Sequence, residues 1–338
     1  MNKSVAVIIL NWNGAKLLKE FLPSVCENTN SEIADVIVAD NGSTDNSLEL
    51  LKNEFATVKT IKFDKNYGFA EGYNRAIEAC KNYKYTVLLN SDVKTPSQWI
   101  EPLYEFCEKN PDVAACQPKI LSYKNETEFE YAGAAGGFID KLGYPYCRGR
   151  IFSTVEEDKG QYDTMPIDIM WATGAALFVR TDIYLSVGGL DAKFFAHMEE
   201  IDLCWRIHLA GYKIKAVTDS AVYHLGGGSL PASNPRKTYL NFRNNLLLLH
   251  KNLPQKEGKK LLFIRRLYDT LAFFMFAIKC DYKNAKAILK AHADFKKMRK
   301  EYTEFPEKNL LGSLPGSECN IIIDYYLRGR KKYLQQQL

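Results

Sequence analysis

Short runs of Val, Ile and Leu alternate along this chain with stretches whose apolar residues recur at helical spacing. The runs are Val5–Leu10, Val36–Ala39, Val58–Phe63 and Tyr85–Leu89, and continuous apolar segments of this length read as strands buried on both faces. Between them, Lys16–Glu27 and Ser47–Phe55 keep the helical period, and Ser43, Thr44 and Asp45 offer an N-cap for the second. This is a βαβ rhythm, and it predicts an α/β fold with a mostly parallel, doubly wound sheet. The period is lost over Tyr123–Thr164, where Gly133, Gly136, Gly137, Gly143, Gly149 and Gly160 predict an inserted loop region. Order returns with two strand candidates, Ile167–Met170 and Ala175–Arg180, and with a helix over Glu199–Ala210 closed by Gly211. After Lys237 the pattern is helical and basic apart from a loop over Glu304–Ser317. The expected division is an α/β domain over residues 1–245 and a C-terminal helical extension over 246–338.

Composition narrows the function classes. At 338 residues and 46% hydrophobic content the chain buries a large core. Its 45 basic and 40 acidic residues leave a net charge of only +5, too even a mixture for a nucleic-acid binder, so no nucleic-acid partner is expected. The excess is local: Lys296, Lys297, Arg299 and Lys300, then Arg328, Arg330, Lys331 and Lys332, form a basic end suited to an acidic surface. Eight cysteines without a C-x-x-C pair signal neither a zinc site nor a disulfide framework, and reduced thiols in the cytoplasm are expected. The apolar stretch Leu271–Ile278 is far short of the roughly 18 residues of a spanning helix.

Candidate chemistry gathers where the strands end: Asn11 after the first, Asp40 and Asn41 after the second, and Asn90, Ser91 and Asp92 after the fourth. In an open parallel sheet ligands bind outside the carboxyl ends of the strands, so these residues are expected to face one crevice, although each alone also suits an ordinary turn. Asp92 in such a place can hold magnesium or manganese against a diphosphate, because magnesium takes one or two carboxylates beside phosphate and water. Between the third strand and the next helix, Asn66, Gly68, Phe69 and Ala70 would let a flat base or ribose lie close to backbone. Glu199, Glu200 and Asp202 open a helix directly after Phe194, Phe195 and Met198. The helix dipole accounts for acids in a first turn, but an apolar setting also raises a carboxylate's pKa and suits it to act as a base. His224 precedes Gly226, Gly227, Gly228 and Ser229, whose backbone can approach phosphate oxygens, and either a metal or a phosphate role is open to the histidine. No P-loop and no G-x-G-x-x-G fingerprint follows a strand, which argues against ATPase and nicotinamide-dependent oxidoreductase activity.

In combination, Ile8-Ile9-Leu10-Asn11-Trp12-Asn13, Val38 to Asp45, Asn66-Tyr67-Gly68-Phe69-Ala70, Asn90-Ser91-Asp92, and Gly188-Gly189-Leu190-Asp191 leading to Glu199–Arg206 resemble the inverting glycosyltransferases of family 2. The likeness covers about Val5 to Asn245 and is nearest the branch of rhamnosyltransferases and galactofuranosyltransferases of bacterial surface polysaccharides. It implies a single GT-A-type nucleotide-sugar-binding domain, with Asn11 and Asp40 meeting the nucleotide and Asp92 standing last in the metal-binding D-x-D motif. It also puts Glu200 at the base position, with Glu199 supporting the site and Asp202 holding the helix start or the acceptor. Trp171, Thr173 and Gly174 resemble the segment beside donor and acceptor. The sequence departs from the family pattern at Asn90, where the first aspartate of D-x-D is usual, and at Glu200, where aspartate is usual; metal binding then falls to Asp92 with His224. No Q-x-x-R-W motif is present, so transfer of one sugar is implied rather than polymer synthesis.

The resemblance therefore implies a metal-dependent transfer from a UDP- or dTDP-sugar to a hydroxyl of a glycan or lipid-linked acceptor in the cell envelope. The competing reading is a nucleotide-sugar-binding scaffold without catalysis, supported only by the departures at Asn90 and Glu200. In the extension, Leu261–Ile264, Leu267, Leu271, Phe273, Phe274 and Phe276 lie among Lys259, Lys260, Arg265 and Arg266. That pattern fits peripheral contact with the inner face of the cytoplasmic membrane, and equally packing on the catalytic domain or on a second copy in a homo-oligomer.

Overall fold

A computed structural model describes residues 3–226 and 234–336. The first strands and helices follow the sequence pattern: β1 (Val5–Asn11), α1 (Ala15–Asn28), β2 (Ala34–Asp40), α2 (Ser47–Glu54), β3 (Lys59–Lys62), α3 (Phe69–Ala79) and β4 (Tyr85–Leu89). There follow β5 (Val93–Lys94), α4 (Glu101–Lys109), β6 (Val113–Ser122), the short strands β7 (Gly137–Ile139), β8 (Pro145–Cys147), β9 (Arg150–Ile151), β10 (Thr154–Val155) and β11 (Ile167–Asp168), then β12 (Ala176–Arg180) and α5 (Thr181–Ser186). The remainder is α6 (Glu199–Leu209), β13 (Lys213–His224), α7 (Pro235–Asn252), α8 (Gln255–Ile278), α9 (Tyr282–Met298), α10 (Ile321–Tyr326) and α11 (Tyr333–Gln336).

The main sheet runs β11-β13-β6-β12-β4-β1-β2-β3, with β5 added beside the end of β13. It is largely parallel; β12 runs against both of its neighbours, β4 and β6. Two apolar layers cover it, one with Leu18, Leu22, Trp99 and Phe178, the other with Tyr73, Ile77, Tyr184 and Trp205. The βαβ units put the ends of β1, β2 and β4 at one edge of the sheet, as the alternation requires.

Four details differ from the expectations. Asn46 rather than Ser43, Thr44 or Asp45 is the N-cap of α2, and it makes no side-chain cap bond; the Asp45 carboxylate instead accepts from the amides of Ala15 and Ser47 and ties α1 to α2. The region Tyr123–Thr164 is not only loop, for β7 to β10 form a second small antiparallel sheet. Ile167–Met170 is a strand only at Ile167–Asp168. β6 and the first half of β13 give no clear apolar signal, because Gln117, Lys119, Lys213 and Lys215 interrupt it.

The C-terminal helices pack back on the core. α7 runs through residue 245 without a break, and Arg265 of α8 lies over the Tyr144 ring at 3.5 Å while donating to Leu142 O at 3.1 Å. Asp140 accepts from the amides of Leu142 and Tyr144 in the small sheet and from Ile321 at the start of α10. Tyr333 packs on the Phe138 ring at 4.9 Å. Among the described residues no helix is long and apolar enough to cross a membrane.

Candidate active site

A cleft of about 990 Å³ opens at the carboxyl edge of the sheet. Asn41, Asn66, Gly68, Phe69, Asn90, Ser91, Thr173, Gly174, Glu199, Glu200 and His224 all line it. Residues from six separate stretches of sequence thus meet at one place, which is the crevice that the strand order predicts. Gly227, Gly228 and Ser229, to which the sequence assigns a phosphate role, lie outside the described residues.

One wall is built on Asn41. Its Nδ2 donates to Asn66 Oδ1 at 3.0 Å and to Gly68 O at 2.9 Å, while its Oδ1 accepts from the Tyr67 amide at 2.9 Å. Gly68, at φ +82°, and Gly42, at φ +72°, take conformations that disfavour a side chain. At Gly42 a Cβ would also come within 2.5 Å of the Lys65 backbone, so the two loops pack backbone to backbone. Asn11 and Asp40 serve this wall from behind. They are register partners in β1 and β2, both buried, with Asn11 Nδ2 donating to Asp40 Oδ1 at 3.1 Å and Asp40 Oδ2 taking the Ser43 amide at 3.0 Å. Neither side chain lines the cleft.

The floor comes from β4 and β13. His224 pairs with Val93 across the β13–β5 ladder, which brings His224 Nε2 to 3.1 Å from Asp92 Oδ1 and 3.4 Å from Asn90 Nδ2. On its other side, Nδ1 faces Glu130 Oε2 at 3.4 Å. Burial alone would lower the pKa of this imidazole, but hydrogen bonding with Asp92 and Glu130 outweighs it and pushes the value up to about 10. Glu130 escaped sequence reading because it sits in the aperiodic segment after β6, with no neighbouring pattern to mark it. Tyr131, Phe195, His197 and Lys237, which belong to no motif, also line the cleft, as does Trp12 of the first motif, 57% exposed at its rim.

The opposite wall is the start of α6. Burial raises the pKa of Glu200 to about 7, and burial together with the neighbouring Glu200 charge raises that of Glu199. One oxygen of each, Oε2, is buried without a hydrogen-bond partner. An unpaired buried carboxylate oxygen is costly, and two of them side by side on the wall of one cleft suit a functional site. Glu200 stands across from Gly174, where an added Cβ would lie 3.8 Å from Glu200 Cβ.

Six residues expected at the ligand do not line the cleft: Asn11 and Asp40, Asp92 beside His224, and Asp202, Trp171 and Ala70. Asp202 points away from the cleft and is held by Arg206 Nε at 2.9 Å, Lys251 Nζ at 2.9 Å and Asn252 Nδ2 at 2.7 Å. This network carries three donors on one buried carboxylate, so Asp202 anchors α6 to α7. Trp171 is a core residue: its indole covers Gly137 and donates to Phe138 O at 2.9 Å. Ala70 is buried in the first turn of α3, beneath the cleft. Thr173 keeps its place on the wall, fixed by Gln117 through its amide at 2.9 Å.

Residues 6–170 match the model of glycosyl transferase family 2. An N-acetylglucosaminyl-diphospho-decaprenol L-rhamnosyltransferase of Mycobacterium tuberculosis (strain CDC 1551 / Oshkosh) is 24% identical over 241 residues, covering 66% of this chain and 76% of the relative. The structure of S. aureus TarS 1-349 in complex with UDP-GlcNAc aligns with a TM-score of 0.57 at 15% identity, over 86% of this chain and 80% of that one. GalNAc-T7 with UDP, GalNAc and Mn2+ aligns with a TM-score of 0.57 at 16% identity, over 75% of this chain and 49% of that one, so this chain spans about half of that protein's length. The structural likenesses establish the GT-A fold, and the matched segment, residues 6–170, which carries the strand-end residues Asn41, Asn90 and Ser91 of the cleft, belongs to glycosyltransferase family 2.

Proposed function

We propose that this chain transfers a single sugar, with inversion, from a UDP- or dTDP-sugar to a hydroxyl of a glycan or lipid-linked acceptor, using a divalent metal. The observation that carries the reading is the unpaired Glu200 oxygen across one cleft from the His224 floor. Asn41, Asn66 and Gly68 form the backbone-rich wall against which the pyrimidine and ribose lie. Trp12 and Phe195 at the rim offer flat apolar faces of the kind that stack on sugars. Glu200 takes the acceptor proton as the new bond forms, and the in-line approach comes from holding acceptor and donor on opposite sides of the anomeric carbon.

The residues present fit a hard divalent ion. Among the described residues no three His, Cys, Asp or Glu side chains gather as a metal cluster, so the protein would supply Asp92 and His224 Nε2, leaving the other positions to diphosphate and water. Glu130 beside Nδ1 is the carboxylate that typically orients a metal-bound histidine. When bound, the ion neutralises charge on the departing diphosphate. Thermal shift with UDP, dTDP and GDP, each with and without Mn2+, tests the donor class. A pyrimidine diphosphate with Mn2+ at about a hundred times its Kd should add about 2.7 kcal/mol of stability, and a guanine nucleotide little. Equal stabilisation by all three overturns the base assignment.

The acceptor side of the proposal includes a membrane. On α8, Phe263, Leu267, Leu271, Phe274 and Ile278 are each more than half exposed and follow one another at three- and four-residue spacing, a single stripe. Exposed Lys256 and Lys260 continue its line at the N-terminal end, a pattern suited to lying in the plane of an anionic bilayer on the cytoplasmic face. Full-length protein should float with anionic vesicles, and Leu267→Lys with Leu271→Lys should abolish flotation. Dimerisation in solution lost in the same variant, without flotation of the wild type, assigns the stripe to a second copy instead.

A further inference from the structure

The segment that delivers Glu200 to the cleft holds a conformation that its own residues disfavour. Phe195, His197 and Met198 have φ of 68°, 68° and 74°, all in the left-handed region and none of them glycine. Such turns persist only where the surroundings fix them, and here the fixing groups come from α7. Asn244, fully buried, shares its Nδ2 among Phe194 O at 2.9 Å, Ala196 O at 2.8 Å and His197 O at 2.7 Å. Arg243 Nη2 donates to Phe194 O at 2.8 Å, and Arg243 Nε donates to Asn244 Oδ1 at 2.8 Å, which fixes the orientation of the amide. Neither residue lines the cleft, and both lie beyond the segment that matches the family model.

We propose that Arg243 and Asn244 are positioning residues, a clasp that holds residues 194–198 in their left-handed turns and thereby aims Glu200 at the acceptor. The aiming step rests on Glu200 being the base; the clasp does not. Three carbonyls gathered on one amide set the direction in which the chain enters α6, and the first turn of that helix carries both carboxylates. A misplacement of about 1 Å in such a group costs up to about a hundredfold in rate.

The test uses full-length protein with Asn244→Ala, and with Arg243→Lys as the milder change that keeps charge but loses the planar fork. Two readouts are taken: amide hydrogen exchange over residues 195–200, and steady-state transfer. The clasp predicts at least tenfold faster exchange in that segment, with the β1 and β4 amides unchanged, and kcat lowered about ten- to a hundredfold with donor KM within about twofold. Arg243→Lys should show the same pattern to a smaller extent, which keeps the test open should Asn244→Ala not fold. Unchanged exchange overturns the clasp. Faster exchange with unchanged kcat overturns the aiming role, as does a parallel rise in donor KM. Should Glu200→Gln prove fully active, the base assignment fails, while the exchange result still decides the clasp.

Discussion

Glu200→Gln is expected to lower turnover by about 10²–10⁴-fold, roughly 3–5 kcal/mol of barrier, with donor affinity unchanged. The amide keeps the shape of the side chain and cannot accept the acceptor's proton. Glu200 is suited to the task because burial lifts its pKa to about 7, near working pH, while its Oε2 stays free of competing donors. Glu199 and the buried Cys204 thiol interact with it electrostatically, and only backbone amides at the start of α6, not a positive charge, pull its value down. Because the base must be ionised, kcat/KM should fall as pH drops through about 7, and Glu200→Gln should lose that limb. Stability should move the other way. A carboxyl raised when folded binds its proton more tightly folded than unfolded, so its contribution is full below the ordinary carboxyl pKa and is lost as pH rises through about 7. Glu200→Gln removes this loss and should be the more stable protein at pH 8. Glu200→Asp withdraws the carboxylate by about 1.5 Å and should retain partial activity. Near wild-type turnover in Glu200→Gln with an inactive Glu199→Gln moves the base by one residue; activity in both places the base outside α6.

The first half of the sheet was legible because its strands are buried on both faces, and a run such as Val5–Leu10 has no other reading. The first half of β13 was not, because Lys213 and Lys215 interrupt its apolar run and its middle leaves regular pairing: the register against β6 shifts between Ala216 and Ala221, and Thr218, Asp219 and Ser220 fall where the ladder is broken. The small sheet of β7 to β10 has strands of two or three residues, too short for alternation to show. At the site, strand-end logic found the cleft but not each residue's direction. Asn11 and Asp40 follow the rule for ligand residues, yet the parallel register sets them opposite each other and they bond mutually. Asp202 shares a helical turn with Glu199 and Glu200, and only the approach of α7, with Lys251 and Asn252, reveals that it faces the other way. Glu130, Arg243 and Asn244 reach the site region through tertiary packing alone, and no local pattern marks them.

Asp92→Ala is expected to weaken metal-dependent binding of a nucleoside diphosphate by at least a hundredfold, about 2.7 kcal/mol. Asn90, where the family has aspartate, offers a neutral amide, so Asp92 is the one carboxylate of the Asn90–Asp92 turn and Glu130 stands on the far side of the histidine ring. Without metal, His224 stands between the Asp92 and Glu130 carboxylates, which raise its pKa to about 10. A cation at Nε2 must displace the proton, so Mn2+ affinity should tighten as pH rises from 6 to 8, with proton release measurable by calorimetry in buffers of different ionisation enthalpy. The stability linkage has a definite sign as well. A histidine whose folded pKa is raised contributes stability that is full below about 6.5 and is lost as pH rises through about 10. Asp92→Asn, which keeps the shape of the side chain and removes its charge, should therefore lower stability at pH 6 more than at pH 10, separating the ion pair from packing. His224→Ala should weaken Mn2+ binding less than Asp92→Ala, since a carboxylate is the stronger ligand for a hard ion. Unchanged calorimetric affinity of Asp92→Ala for UDP with Mn2+ would remove the metal from this turn, and full affinity in His224→Ala alone would leave the histidine a structural partner of Asp92 and Glu130.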